Sequence, residues 1–244
     1  MERPYQALSA RYDEVMEHVD HAAWARYVER VWKRHRHRPA NILETGAGTC
    51  RMAPHLDREG RWLVASDLSV PMLEQGAMRV SRRVGCDFRV LPFRDASFDT
   101  MLCLYDAINY CLFPTDLDKF FAEASRVLKP KGLLVADITT STNSRRHFLE
   151  STSHEHLSGT HVVRRSWYDP EARFQHNDFH FFEPVPGGTY ELRREEHVQR
   201  IWALKDFDRA AKRSGMVREG AWDDQLLSAT TRCERIHLVF RRNS

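Results

Sequence analysis

From about residue 41 the chain alternates short apolar runs with amphipathic ones: NILET, then Met52 to Glu59; WLVASD, then Pro71 to Arg82; CDFRVL; FDTMLCLY, then Leu117 to Leu128; GLLVADI. Strands alternating with helices of about ten to fifteen residues imply parallel strands joined by right-handed crossovers. The predicted core is therefore a doubly wound α/β sheet. Leu117, Phe120, Phe121, Ala124 and Val127–Leu128 recur at i, i+3, i+4 and i+7, the stripe of a helix lying on that sheet, with Pro130 and Gly132 ending it.

The flanks read differently. Before the sheet, Trp24, Tyr27, Val28, Val31 and Trp32 recur at helical spacing. After it, HVVRRSWYD, ARFQHNDFHFFE and TYELRREEHVQRIW read as antiparallel strands, with Pro184, Pro186, Gly187 and Gly188 as a hairpin turn between the last two. A final helix, Leu204 to Ser214, and strands Val217 to Trp222 and Arg235 to Phe240 complete a mostly parallel, seven-stranded sheet with helices on both faces. The expected organisation is a helical cover (1–40), an α/β core (41–140), an antiparallel β lid insertion (141–200) and a closing helix with strands (201–244).

The chemistry concentrates after the first strand. That strand ends in Glu44 and breaks into Gly46-Ala47-Gly48, which lets a ligand lie against bare backbone, and Asp67 at the tip of the next strand is placed to grip a ribose. A dinucleotide fingerprint wants a third glycine where this chain has Arg51. Glu44 beside the ligand suits a cationic amino-acid end better than a phosphate. Both points favour S-adenosylmethionine.

Composition narrows the setting. The 244 residues suit one domain with an insertion. No apolar stretch approaches eighteen residues and no leader pattern opens the chain, so a cytoplasmic protein without membrane attachment is expected. Five cysteines without a CxxC pair read as reduced thiols. The net charge of +3, from 37 basic and 34 acidic residues, gives no support to nucleic-acid binding, which is not expected. The local run Lys33 to Arg38 can touch phosphate, but reads first as a solvated helix C-terminus. His154-x-His156 and His176-x₃-His180 lack a third ligand, so no metal is expected.

With these pieces placed, the chain resembles the class I S-adenosylmethionine-dependent methyltransferases. ETGAGTCR is similar to their motif I, with Cys50 where the family usually has glycine; SDLSVPML to the ribose-binding turn; CDFRVLPF to the adenine segment; FDTMLCLYDAINY and FFAEASRVLKPKGLLVADI to motif IV and the following helix and strand. Tyr5 to Asp13, YDAINY and EEHVQRIWALKDFDRAAKRSG resemble a bacterial small-molecule subgroup similar to aminosugar N,N-dimethyltransferases, whose members carry an antiparallel lid.

The resemblance implies that Glu44 faces the methionine ammonium, that Gly46, Ala47, Gly48 and Arg51 form the loop, and that Asp67 takes the ribose. Asp87 and the Phe88 N–H would meet adenine between Leu68 and Met72, with Leu104 and Tyr105 beside the methionine portion and Tyr12 closing over the cofactor. Asp106, Asn109, Tyr110 and His197 are the catalytic candidates, with Tyr12, His154 and His156 also available as bases. The expected reaction moves a methyl group to nitrogen or oxygen of a small molecule, in a monomer or homodimer. RNA or protein methylation and a non-catalytic S-adenosylmethionine-binding module are the alternatives.

Overall fold

The computed structural model describes residues 4–58 and 60–244; Glu59, expected in an amphipathic segment, and Met1 to Arg3 of the cover lie outside the described residues. A 3₁₀ turn at Leu8–Arg11 leads into a single turn of helix, α1 (Tyr12–Val15), and then α2 (His21–Arg34), capped by the Asp20 carboxylate accepting from the Ala23 N–H. The core follows as β1 (Asn41–Thr45), α3 (Ala53–Leu56), β2 (Trp62–Asp67), α4 (Val70–Gln75), β3 (Arg83–Gly85), β4 (Phe98–Cys103), α5 (Pro114–Val127) and β5 (Leu128–Thr139). Next come α6 (Ser141–His147) and the lid strands β6 (Glu150–Leu157), β7 (Thr160–Asp169), β8 (Phe174–Val185) and β9 (Thr189–Arg200). α7 (Leu204–Arg213), β10 (Met216–Trp222) and β11 (Arg235–Arg242) close the chain. No described helix is long and apolar enough to cross a membrane.

The main sheet has seven strands in the order β10-β11-β5-β4-β1-β2-β3, with β11 antiparallel to both its neighbours. β1 pairs in parallel with β4 on one side and β2 on the other, so the strand order reverses there. That reversal opens a crevice at the carboxyl ends, where open α/β sheets bind ligands. The lid is a separate antiparallel sheet, β6-β7-β8-β9.

Two apolar layers sandwich the main sheet. Phe120, Phe121 and Phe207 from α5 and α7 pack with Phe240 on one face, and Val28, Val31 and Trp32 from α2 pack with Ile42 and Leu63 on the other. A smaller cluster of Ala7, Leu8, Val162, Phe179 and Phe181 joins the N-terminal segment to the lid.

Several sequence expectations are corrected. CDFRVL is not a strand: β3 precedes it, and Asp87 Oδ1 accepts from the Arg89 N–H (2.8 Å), folding the segment into a loop. The helix expected from Pro71 to Arg82 stops at Gln75, where Gly76 lies so close to the Gly-rich loop that a Cβ would stand 2.7 Å from the Thr49 carbonyl oxygen. The amphipathic stretch after Met52 shortens to the four residues of α3. α5 ends at Val127, before Pro130 and Gly132, which lie inside the irregular start of β5. β6 and α6 had no apolar signature, because ESTSHEHL is a mostly exposed strand defined by its backbone pairing with β7.

Phe121 has no exposed surface and meets Phe120 and Phe240 edge-on, at centroid distances of 5.5 and 4.9 Å. Phe121→Ala is expected to cost about 3–5 kcal/mol of stability, read by urea denaturation. A loss below about 1 kcal/mol would show that α5 does not anchor the sheet as described.

Candidate active site

The loop after β1 is built on positive φ angles: Gly46 at 65°, Gly48 at 55° and Cys50 at 59°. A Cβ on Gly46 would come within 2.7 Å of the Ala107 Cβ, so glycine is required there for space as well as conformation. Cys50 carries a left-handed backbone at the position the resemblance assigns to glycine, a strain of roughly 1–2 kcal/mol. The Asp67 carboxylate accepts from the Gly48 N–H and the Ser69 N–H, both at 2.8 Å, which fixes the tip of β2 to the loop. An ionised carboxylate has about four acceptor positions, so capacity remains for hydroxyl donors.

Glu44 is 3% exposed and its Oε2 has no hydrogen-bond partner. Burial, reinforced by the Asp67 charge, pushes its carboxyl up to about 8. A buried acid without a partner, beside a glycine loop, is a site for a cation. Tyr12, Glu44, Gly46, Ala47, Gly48, Arg51, Leu104 and Tyr105 all line one cavity, which encloses only about 30 Å³. That volume holds about one water molecule, so a nucleoside is seated only when part of the wall moves. The wall on the N-terminal side is held by polar contacts: Asp13 accepts from the Thr49 hydroxyl (2.6 Å) and pairs with Arg79 (2.5 Å), and Arg51 donates to the Asp13 carbonyl (3.0 Å). Half-exposed contacts of this kind open at small cost.

Beyond β4 the chain makes a turn that the sequence did not announce. Tyr105 and Asp106 are both left-handed, with φ of 56° and 50°, conformations that cost non-glycine residues about 1–3 kcal/mol each. The turn is braced from below. Asp137, fully buried on β5, accepts from the Asp106 N–H (3.1 Å) and pairs with Arg235 of β11. From above, the Gln199 amide donates to Asp106 Oδ2 (3.0 Å). Burial pushes the Asp106 carboxyl up to about 6, Asp137 adding to the effect and Arg235 opposing it. The Tyr105 ring lies tilted against Trp24, centroids 4.4 Å apart, and its hydroxyl is buried without a partner.

The turn delivers Tyr110 to the lid. Its hydroxyl meets His197 Nδ1 at 2.8 Å and the Tyr5 hydroxyl at 2.9 Å; His197 Nε2 meets Glu195 Oε2 at 3.1 Å. Glu195 also accepts from the backbone N–H groups of Tyr5, Ala7 and Leu8. A carboxylate only accepts, which places the imidazole proton on Nε2 and leaves Nδ1 to accept from Tyr110. Tyr5 then donates to Tyr110, and the whole chain of bonds ends on Glu195. Burial raises the Tyr5, Tyr12 and Tyr110 phenols well above their ordinary range, so all three keep their protons.

The structure thus brings Tyr110 and His197 together and adds Tyr5, Glu195, Gln199, Asp137 and Arg235, which sequence reasoning missed. A signal for two of them existed: Glu195 and Gln199 flank the predicted His197 at alternate buried positions of β9, a polar stripe with strand period facing inward. Asn109, expected as a catalytic candidate, is buried with its amide used on backbone, Nδ2 donating to the Arg200 carbonyl (2.7 Å) and Oδ1 accepting from the Thr139 N–H (3.3 Å).

Around Asp87 and Phe88, where adenine is expected, the picture is mixed. Asp87 is bound to Arg89 through both oxygens (3.0 and 2.7 Å), and Arg89 continues to Asp116 (2.9 Å). Phe88 packs edge-on against Phe120 at 5.3 Å. Of the two residues expected to sandwich the ring, Leu68 is 71% exposed, but Met72 is 2% exposed and its methyl would stand 3.2 Å from a Cβ on Gly48. His154 lies on β6 against His161 (3.1 Å), and His176 on β8 against Glu196 (3.1 Å). Among the described residues no group of three His, Cys, Asp or Glu side chains is arranged to hold a metal ion.

Residues 43–136 match a family model described as a methyltransferase domain. YqeM of Bacillus subtilis (strain 168), itself named only provisionally as a methyltransferase, is 26% identical over 216 residues, which is 86% of this chain and 85% of that protein. Among solved structures, a S-adenosylmethionine-dependent methyltransferase from Clostridium acetobutylicum ATCC 824 shares the fold with a TM-score of 0.82 at 20% identity, covering 98% of this chain and 99% of that one. The sugar N-methyltransferase KedS8 from Streptoalloteichus sp ATCC 53650 gives 0.76 at 21% identity, covering 96% and 93%. The matched methyltransferase domain holds the glycine loop, the unpartnered Glu44 and the Asp67 tip at the strand-order reversal, and the chain as a whole shares the fold of solved S-adenosylmethionine-dependent methyltransferases.

Proposed function

We propose that this methyltransferase acts on a small molecule, at nitrogen or oxygen, in the space between the Asp106–Tyr110 turn and the lid. The observation that carries this reading is the bonded series Tyr5, Tyr110, His197 and Glu195, beside the buried Asp106 carboxyl raised to about 6. The structural likeness to a sugar N-methyltransferase supports a small acceptor. The five free thiols suit a reducing compartment such as the cytoplasm.

S-Adenosylmethionine supplies, when bound, a methyl group on a positively charged sulfur. Glu44 is the acid for its ammonium, Asp67 the acceptor for its ribose hydroxyls and the Gly46 to Gly48 backbone its floor. Asp87 can serve the adenine amine only by sharing its oxygens with Arg89.

The chemistry left to the chain is positioning and removal of one proton from the acceptor. An in-line displacement gains about 7 kcal/mol or more from alignment alone. Asp106, at about 6, is largely ionised at neutral pH and still basic enough to take a proton from an amine or hydroxyl. Tyr110 keeps its proton and acts by hydrogen bonding, its direction set by His197 and Glu195. Phenol rings of Tyr5, Tyr12 and Tyr110 around a carboxylate favour an acceptor with cationic character, hence an amine over an alcohol.

Three outcomes follow from these assignments. Asp67→Ala removes charge-assisted hydrogen bonds worth roughly 1.5–3 kcal/mol each, so calorimetry is expected to show S-adenosylmethionine binding weakened about tenfold to a hundredfold in a folded protein. Unchanged affinity would falsify the ribose assignment.

The second outcome concerns pH. Glu44, raised to about 8 in the free protein, must lose its proton to pair with an ammonium. Affinity is therefore expected to climb from pH 6 to 7.5, by up to about tenfold per unit, and to fall above about 8 as the ligand's own amine deprotonates. Glu44→Gln should flatten the rising limb. A native profile that is flat below pH 7.5 contradicts the assignment.

Tyr110→Phe and His197→Ala are expected to depress kcat while leaving S-adenosylmethionine affinity within about threefold, or roughly 0.65 kcal/mol. Equal losses in cofactor binding and turnover would place these side chains in the cofactor site and not the acceptor site.

A further inference from the structure

At the opposite edge of the main sheet, around the amino ends of β1 and β2, a cleft of about 830 Å³ is lined by Arg26, Arg30, Lys33, Arg36, Arg38 and Arg61 against a single carboxylate, Glu29. β1 separates it from Glu44 by most of a five-residue strand, so the cleft lies on the order of 15 Å from the methyl-transfer site and is not part of it. We propose that this cleft binds a ligand carrying several closely spaced phosphate groups.

Arg26 pairs with Asp20 at 3.5 Å, but Arg30, Lys33, Arg36 and Arg38 have no ion pair among the described residues. Glu29 is already taken by Arg58 (2.5 Å) and Arg61 (2.8 Å). Arg30 reaches only the Gln225 carbonyl, at 3.3 Å. Lys33, Arg36 and Arg38 are exposed and make no ion pair or side-chain hydrogen bond among the described residues. Favourable interaction with the α2 C-terminus explains basic residues in the last turn, Lys33 and Arg34, and falls off within that turn. It does not explain Arg30 upstream or Arg36 and Arg38 beyond, none of which has a carboxylate partner.

Two further atoms in the lining lack partners. The Trp32 indole N–H belongs to a side chain 2% exposed, and His37 Nε2 is likewise buried without a hydrogen bond. His37 is held neutral at pH 7, pushed down to about 4 by burial and by Arg241, so it adds a hydrogen-bonding edge and no further repulsion. Like charges gathered in one concavity repel each other, and a multiply charged anion relieves that repulsion at all of them together. Phosphate groups carry about −1.5 to −2 each and match guanidinium forks bidentately, whereas carboxylates spaced along a peptide need a longer groove to bring the same charge.

The test uses the full chain and two probes, inorganic tripolyphosphate and a short single-stranded RNA, titrated by calorimetry at several salt concentrations. Both the triple variant Lys33→Gln, Arg36→Gln, Arg38→Gln and the single variant Arg38→Gln are measured, the latter because it alters one exposed, unbonded side chain. The expected result is saturable binding of at least one probe, weakened tenfold or more in the triple variant and measurably in Arg38→Gln, with S-adenosylmethionine affinity within threefold of the native protein. Tighter binding of tripolyphosphate identifies a nucleotide-like or polyphosphate ligand. Tighter binding of RNA, with a log–log salt slope near −2.8 for four unpaired cations, identifies a nucleic-acid backbone. Absence of saturable binding of both probes near physiological salt, or binding that both variants leave unchanged, overturns the proposal.

Discussion

One carboxylate with no exposed surface, Glu195, ties together three parts of the molecule that the chain order keeps apart. It sits on the lid strand β9, collects the backbone N–H groups of Tyr5, Ala7 and Leu8 from the N-terminal cover, and anchors His197. Burying a charge is costly unless its hydrogen-bonding capacity is filled, and here four donors converge on it. Through His197 the same carboxylate orients the Tyr110 hydroxyl, so the position of the cover and the direction of a hydrogen bond at the proposed acceptor site are set by one group. The apolar cluster of Leu8, Phe179 and Phe181 seals the joint but supplies no direction of its own.

A second buried acid does comparable work on the core side. Asp137 holds the Asp106 N–H and pairs with Arg235, which stabilises two consecutive left-handed residues that would otherwise relax. Strain of this kind persists only where the surroundings over-determine it. Its consequence is a turn that brings Asp106 to Gln199 and Tyr110 to His197 on the lid, the carboxyl raised to about 6 by burial and the phenol kept protonated. The glycine loop and the Tyr105–Tyr110 turn meet because β1 and β4 are neighbours in register, Thr45 opposite Cys103.

Much of the core was legible in the chain because its signals are local. β1, β2, β4 and the apolar half of β5 are short apolar runs, and α5 carries an uninterrupted stripe ended near Val127. Glu44 and the two glycines could be singled out because an apolar run breaking into Gly-x-Gly after an acid is a local pattern. The misread segments were those where a tertiary contact overrode periodicity: Gly76 pressed on the Thr49 backbone, and Asp87 folding CDFRVL away from the sheet. β6 escaped because its strand character comes from pairing with β7 and not from burial.

By itself the sequence determined the α/β alternation, the glycine loop with its two acids and the presence of an antiparallel lid, since each depends on residues close together in the chain. Only the tertiary structure decided which polar residues act as a unit. Glu195 meets Tyr5 across 190 positions, Tyr110 meets His197 across 87 and Arg235 meets Asp137 across 98, and no local pattern encodes such pairings. The basic cleft follows the same rule: the run Lys33 to Arg38 looked like a solvated helix end until folding set Arg26, Arg30 and Arg61 around it. Charge and hydrogen-bonding capacity are properties of a residue, but whether they are satisfied is a property of what the fold places beside it.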